Sequence, residues 1–147
     1  MEKTLIILKP DTVMRGLMGK VLSRFEEKGF KFLGLKMLKI DRAKAEELYS
    51  PHLGQPFYPP LIDFITSGPI VVAVLTGIEV IPQVRNLMGK TSPAEATPGS
   101  IRCDFGQRMQ RNIIHGSDCP DSAKREIALF FSEEELLDYR LPVETWL

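Results

Sequence analysis

The chain has 147 residues, of which 44% are hydrophobic and 26% charged, so one globular domain spanning residues 1–147 is expected. Its 19 Lys and Arg residues balance 19 Asp and Glu residues, which argues against a generally basic nucleic-acid coat and an acidic disordered chain. The two cysteines lack zinc-site spacing, and no apolar run is long enough for a signal peptide or a membrane span. These features favour a cytoplasmic protein.

The pattern of apolar residues predicts four strands and five helices. The strands are expected over residues 4–8, 30–40, 70–75 and 112–115. The helices are expected over residues 12–28, 42–49, 60–66, 78–87 and 122–131, with Asp41 capping the second and Asp121 the last. This order favours an α+β sandwich of the ferredoxin-like type, with helices on one face of a four-stranded, mainly antiparallel sheet.

Two segments rich in glycine and proline are predicted to be loops. Residues 50–60 carry Phe57 and Tyr58, whose rings could clamp a flat base or pack in the core. Residues 88–110 form a long loop, and loops of this length inside a compact domain are usually functional or mobile. Five cations in or beside it fit either phosphate recognition or a solvated basic surface: Arg85, Lys90, Arg102, Arg108 and Arg111.

The sequence contains no P-loop, dinucleotide fingerprint or nucleophile elbow. His115 instead ends a predicted strand and is followed by Gly116, which lets the chain turn beside the ring. An imidazole with one nitrogen held by a hydrogen bond is a competent nucleophile near neutral pH, although a strand-end histidine also occurs without a catalytic role. Lys9 ends another strand, where its charge needs a carboxylate or a ligand phosphate. His52 is interpreted as an ordinary surface residue.

Together these motifs resemble those of the nucleoside diphosphate kinase family. The resemblance rests on Lys9-Pro10-Asp11, on Ser67-Gly68-Pro69 and above all on the segment from Asn112 to Asp118 around His115, and it extends over essentially the whole chain. It implies a ferredoxin-like sheet with a long nucleotide-binding loop. It also implies a two-step transfer with Mg²⁺. A nucleoside triphosphate, mainly ATP, gives its γ-phosphate to a histidine, and a nucleoside diphosphate then takes it.

The resemblance assigns His115 as the nucleophile and Glu126 as the group that orients its ring. Ser117 would support that carboxylate, and Tyr49 would donate to the transferring phosphate. Six residues would hold the nucleotide: Lys9, Phe57, Arg85, Thr91, Arg102 and Asn112. No direct metal ligand is assigned, although Asp118 would help to place Mg²⁺ through water. Stacking of the base on Phe57 reads a π-face rather than a hydrogen-bonding edge, which predicts broad base tolerance.

The resemblance also bears on partners and on alternative functions. It implies a homo-oligomer, and a tail that reaches Trp146 favours a hexamer over a tetramer. Thr12, Met14 and the pair Met109-Gln110 depart from the commonest family residues, which affects loop conformation rather than chemistry. A nucleic-acid-binding module is the main alternative, but the strands at 70–75 and 112–115 lack aromatic residues for base stacking. An inactive interaction protein, the other alternative, would not be expected to keep this residue set together. We therefore expect neither a specific nucleic acid nor a membrane as partner.

Overall fold

The computed structural model describes all 147 residues and contains one four-stranded sheet. Its strands are β1 (Lys3–Leu8), β2 (Lys31–Leu38), β3 (Ile70–Thr76) and β4 (Ile114–Gly116). They lie in the order β2-β3-β1-β4, and every neighbouring pair is antiparallel. The predicted α+β fold with a four-stranded antiparallel sheet is therefore confirmed.

Seven α-helices connect and flank the strands. They are α1 (Pro10–Met14), α2 (Met18–Lys28), α3 (Arg42–Leu48), α4 (Tyr58–Ile65), α5 (Val80–Met88), α6 (Ile101–Phe105) and α7 (Pro120–Phe130). The prediction of one helix over residues 12–28 is wrong, because Gly16 adopts a left-handed φ of 68° and separates α1 from α2. The long predicted loop contains α6. None of the helices is long and apolar enough to span a membrane.

The two predicted helix caps have different outcomes. Asp41 accepts the Lys44 N–H at 2.8 Å and caps α3 as expected. Asp121 lies inside the first turn of α7, and the side chain that accepts a hydrogen bond at its start belongs to Cys119. The helix begins earlier than predicted because Pro120, which lacks an N–H, is well suited to its first position.

Helices cover both faces of the sheet rather than one. On one face, alternate residues of β1 and β3 pack against α2 and α5, and on the other face the intervening residues pack against α3, α4 and α7. All seven residues of β3 are consequently buried. A strand that is buried on both faces has a continuous apolar sequence, which is the pattern seen at residues 70–75.

The strand order brings two distant motifs to one end of the sheet. β4 pairs with β1, and Ile7 lies opposite His115. Lys9 follows β1 directly, and its backbone N–H donates to the Ile113 carbonyl just before β4. α7 follows β4 after three residues and packs against β1. The two candidate chemical groups, about a hundred positions apart in sequence, therefore lie at the same end of the sheet.

Candidate active site

A cleft of about 900 Å³ opens where the end of β1 and the start of β4 meet α3, α4 and α7. Nine of the ten residues assigned from the resemblance line it: Lys9, Tyr49, Phe57, Arg85, Thr91, Arg102, Asn112, His115 and Glu126. The tenth, Ser117, is 1% exposed and lies beneath Glu126. The fold thus gathers at one cleft groups that come from every part of the chain.

The His115 ring is fixed by a carboxylate on α7. Its Nε2 lies 2.6 Å from Oε1 of Glu126, and 19% of its side chain is exposed. Because a carboxylate accepts hydrogen bonds, this contact assigns the proton of the neutral ring to Nε2. Nδ1 is then the nitrogen with a free lone pair, and it is the atom that can act as a nucleophile.

Glu126 is itself held in place inside the protein. It is 4% exposed, and its Oε1 also accepts the Ser117 hydroxyl at 3.1 Å. Ser117 bridges this carboxylate to β1, since its hydroxyl lies 3.4 Å from the Leu5 nitrogen. A fixed carboxylate beside an imidazole stabilises the positive charge that the ring gains when its other nitrogen forms a bond.

Tyr49 lies at the end of α3 with its ring edge-on to His115, at a centroid distance of 5.9 Å. Its hydroxyl is buried and has no hydrogen-bond partner within the protein. Burial raises the pKa of Tyr49 above its ordinary value, so the phenol stays protonated and can donate a hydrogen bond. Arg125 on α7 donates to the Glu47 and Leu48 carbonyls at the end of α3, which ties Tyr49 to the helix that carries the carboxylate.

Lys9 is 7% exposed and brings a positive charge into the cleft. Its Nζ donates to Oδ1 of Asn112 at 2.8 Å, and the Asn112 amide donates in turn to the Thr91 carbonyl at 3.0 Å. Burial, aided by the charge of Arg102, lowers the pKa of Lys9 to about 8. No carboxylate forms an ion pair with it, so its charge is available to an anionic ligand.

Two arginines extend this positive region along the cleft. Arg102 is 5% exposed, and its guanidinium donates to the carbonyls of Gly89, Asn112 and Ile114 at 3.0, 3.1 and 2.6 Å. Burial lowers its pKa to about 10, which leaves it charged at neutral pH. Arg85 donates to the Gly116 carbonyl at 3.0 Å. These contacts hold both guanidinium groups ready for phosphate oxygens.

The outer end of the cleft is aromatic. The Phe57 side chain is 51% exposed, so it does not pack in the core. Phe64 on α4 lies under the guanidinium of Arg111, whose central carbon is 5.5 Å from the ring centroid. A flat base can stack on such surfaces without directional hydrogen bonds.

Sequence reasoning missed two contributions to the cleft. His52, interpreted as an ordinary surface residue, lines the cleft between the rings of Tyr49 and Phe57, at 6.2 and 5.3 Å. Arg125, which no motif indicated, also lines it. The sequence shows that Arg125 lies next to Glu126 on a predicted helix, but it does not show that Arg125 contacts the end of α3. Of the five cations around the long loop, Lys90 and Arg108 do not line the cleft.

The carboxylates of the cleft are compatible with a divalent metal brought by a phosphate ligand. No group of three or more His, Cys, Asp or Glu side chains forms a metal cage. Mg²⁺ usually keeps several waters and binds through one or two carboxylates plus substrate phosphates. Asp118 lines the cleft, and a hydrogen bond from Ser122 lowers its pKa, so it is ionised at neutral pH. Glu126 already binds His115 and Ser117.

Comparison with known sequences identifies relatives of this chain. The sequence model of the family described as nucleoside diphosphate kinase matches residues 2–136. A nucleoside diphosphate kinase from Carboxydothermus hydrogenoformans is 54% identical over 147 residues, which cover 100% of this chain and 99% of that protein. One from Desulforamulus reducens is 52% identical, with the same coverage.

Solved structures of the same family are also similar to this chain. A nucleoside diphosphate kinase from Halobacterium salinarum, determined in complex with CDP, superposes with a TM-score of 0.96 at 45% identity. The superposition covers 99% of this chain and 97% of that one. The Aquifex aeolicus enzyme gives a TM-score of 0.91 at 45% identity, over 92% of this chain and 99% of that one. This chain therefore belongs to the nucleoside diphosphate kinase family.

Proposed function

We propose that residues 1–147 act as one catalytic domain, in which His115 carries the phosphate during nucleoside diphosphate kinase turnover. The observation that carries this proposal is the contact between His115 Nε2 and Glu126, because it leaves Nδ1 as the nucleophile. In the first half-reaction, Nδ1 bonds to the γ-phosphorus of ATP while the bond to the bridging oxygen breaks. ADP leaves with that oxygen. In the second, a terminal oxygen of another nucleoside diphosphate takes the phosphoryl group from Nδ1.

The remaining residues supply charge and position, which are the main requirements of phosphoryl transfer. Lys9, Arg85 and Arg102 would bind the phosphate oxygens, with Thr91 and Asn112 beside them. The unpartnered Tyr49 hydroxyl is available to a γ-phosphate oxygen. Glu126 would stabilise the positive charge on the phosphorylated ring, with Ser117 holding its carboxylate. The Halobacterium salinarum relative was determined in complex with CDP, which supports a nucleotide as the ligand of this chain.

Steady-state kinetics distinguish this route from direct transfer between two bound nucleotides. Because ADP leaves before the acceptor binds, double-reciprocal plots at several acceptor concentrations are expected to be parallel. Initial rates with ATP and a nucleoside diphosphate measure this directly. Lines that intersect would indicate a ternary complex and would contradict a phosphorylated enzyme on the pathway.

Phe57→Ala is expected to weaken nucleotide binding by about 1–3 kcal/mol, the scale of one base stacked on an aromatic side chain. The loss should be of similar size for nucleotides with different bases, since stacking does not read hydrogen-bonding edges. Titration calorimetry measures the dissociation constants, and Phe57→Tyr, which keeps the ring, is the matched control. Unchanged affinity in the alanine variant would show that the base binds elsewhere.

Lys9 predicts how activity depends on pH. Its pKa is lowered to about 8, so the free enzyme loses this positive charge as the pH rises through that value. Phosphate binding requires the charged form, and kcat/KM reports groups of the free enzyme. We therefore expect kcat/KM to fall above pH 8. In Lys9→Met, kcat/KM should be lower at neutral pH and should lack this fall; an identical fall in that variant would assign it to another group.

We propose Mg²⁺ as the divalent metal, held by the nucleotide phosphates with Asp118 placing it through water. Bound there, the ion would neutralise charge on the phosphate chain during the transfer.

We also propose a cytoplasmic location, which fits the two free thiols of Cys103 and Cys119.

We further propose a homo-oligomer, with a hexamer favoured over a tetramer. Large apolar side chains lie exposed on the C-terminal tail, where Trp146 is 86% and Leu137 is 64% exposed, and on β2, where Leu35 is 54% exposed. Exposed apolar surface of this kind is typical of contacts between subunits. Light scattering on the intact chain measures the mass, and a monomer would contradict this proposal.

A further inference from the structure

Ile113, two residues before the proposed nucleophile, has a backbone conformation that β-branched residues rarely adopt. Its φ is +77°, in the left-handed region. The Ile114 N–H donates to the Asn112 carbonyl at 2.8 Å across it. A positive φ inside this bond pattern is typical of the strained form of the γ-turn. Such a conformation persists only where the surrounding structure holds it.

The segment that begins α1 holds both polar backbone groups of Ile113. Oδ2 of Asp11 accepts the Ile113 N–H at 3.1 Å. The Ile113 carbonyl accepts the Thr12 hydroxyl at 2.6 Å and the Lys9 backbone N–H at 2.9 Å. Asp11 is 7% exposed and Thr12 is completely buried. We call these three bonds the Ile113 clamp.

The turn at Ile113 sets the relative orientation of the residues on either side. Before it, the Asn112 side chain contacts Lys9 Nζ and the Thr91 carbonyl. After it, β4 pairs with β1 and carries His115. Relaxation of φ to a negative value would rotate one side against the other. The phosphate-binding groups and the nucleophile would then no longer face the same point of the cleft.

We propose that Asp11 and Thr12 are positioning residues for phosphoryl transfer, which act by holding the strained turn at Ile113. The proposal rests on the function proposed for His115. Neither side chain lines the cleft, so neither is expected to contact a nucleotide bound there. It gives a role to the part of the Lys9-Pro10-Asp11 motif that does not contact the nucleotide.

Asp11 is also the negative charge that raises the pKa of Lys9 against the effect of burial. A purely electrostatic role for Asp11 therefore has to be separated from the clamp. Asparagine keeps an oxygen that can accept the Ile113 N–H, but it has no charge. Asp11→Asn therefore tests the charge alone, and Asp11→Ala removes both.

The readout is the rate at which ATP and Mg²⁺ phosphorylate His115 in a single turnover, measured by rapid quenching. We expect Asp11→Ala to slow this step by on the order of 10- to 100-fold, because small displacements of reacting groups have effects of this size. Asp11→Asn should stay within about threefold of the wild type. If both variants lose the same phosphorylation rate and their kcat/KM falls at a lower pH than in the wild type, the charge of Asp11 explains the effect. That result would overturn the clamp.

Two variants of Ile113, each combined with Asp11→Ala, test whether backbone strain at this residue is the reason why Asp11 affects the rate. Ile113→Gly and Ile113→Ala remove nearly the same buried side chain, but only glycine adopts a positive φ without strain. Asp11→Ala should slow phosphorylation by on the order of tenfold or more in the alanine background and by less than about threefold in the glycine background. Equal losses in the two backgrounds would overturn the proposal.

Thr12→Val gives a second series if the Asp11→Ala variants do not fold. It removes one hydroxyl from the clamp and keeps the shape of the side chain. We expect Thr12→Val to slow phosphorylation more in the Ile113→Ala variant than in the Ile113→Gly variant, although by less than Asp11→Ala does. Equal effects in the two variants would overturn the proposal. Wild-type protein without label on His115 would refute the proposed function. Labelled wild type whose rate equals that of Asp11→Ala would refute only the clamp.

Discussion

Replacing His115 with alanine is expected to abolish phosphorylation of the enzyme and to lower kcat by on the order of 10⁴-fold or more. The substitution removes the one imidazole of the cleft whose ring is oriented by a carboxylate, beside the cationic residues that would hold the γ-phosphate. Labelling with γ-labelled ATP and Mg²⁺ checks the first effect, and steady-state assays check the second. The phosphate is expected to be labile in acid and stable in base.

The only other histidine provides the matched control. His52 lines the same cleft, but its ring lies between Tyr49 and Phe57 and contacts no carboxylate. His52→Ala is expected to retain the label, whatever its effect on nucleotide binding. Label that persists in His115→Ala would contradict the assignment, and label that disappears only in His52→Ala would move it to His52.

Replacing Glu126 with glutamine is expected to lower kcat by between about 10²- and 10⁴-fold while nucleotide binding changes little. Glutamine removes the charge that, on the proposed route, would stabilise the phosphorylated ring. Its amide can also donate to Nε2, which would move the ring proton to Nδ1 and block the nucleophile. Nitrogen-15 NMR of the imidazole reports the tautomer, and single-turnover labelling reports the rate.

Ser117→Ala is the graded comparison for Glu126→Gln. It removes one 3.1 Å hydrogen bond to the carboxylate but leaves its charge, so a smaller loss of kcat is expected. A Glu126→Gln enzyme with wild-type kcat and Nε2 still protonated would contradict the role given to the carboxylate.

The four strands of the sheet were predictable from the sequence because each strand has a local pattern of apolar residues. Apolar runs and alternation at the four strands determine which residues are buried, and the short spacing between elements limits the topology. The continuous apolar run at residues 70–75 also indicates that both faces of the sheet are covered, because a strand with one exposed face would alternate. The prediction of helices on one face only was wrong, because the order of the elements does not show that β3 is buried on both faces.

The helix boundaries depend on features that apolar spacing does not reveal. The break at Gly16 separates α1 from α2, although Val13 and Leu17 continue the helical spacing. The separation matters for the proposed Ile113 clamp, because a short α1 directs Asp11 and Thr12 at Ile113. A single long helix would not have suggested this contact.

The candidate site was only partly readable from local sequence. His115 and Lys9 stood out by their positions at strand ends, whereas Tyr49 and Glu126 were assigned through the family resemblance. Their proximity to His115 depends on the packing of α3 and α7 against the same sheet face, which no short motif encodes. The left-handed φ of Ile113 was equally hidden, because an isoleucine gives no sign of a turn.

Identification of the phosphorylated atom tests the central claim most directly. Wild-type protein can be phosphorylated with ATP and Mg²⁺, freed of nucleotide, and characterised by phosphorus NMR and by digestion in base. We predict one phosphate per chain on Nδ1 of His115, since Nε2 is occupied by Glu126. A phosphate on Nε2, or on another side chain, would contradict the proposed mechanism.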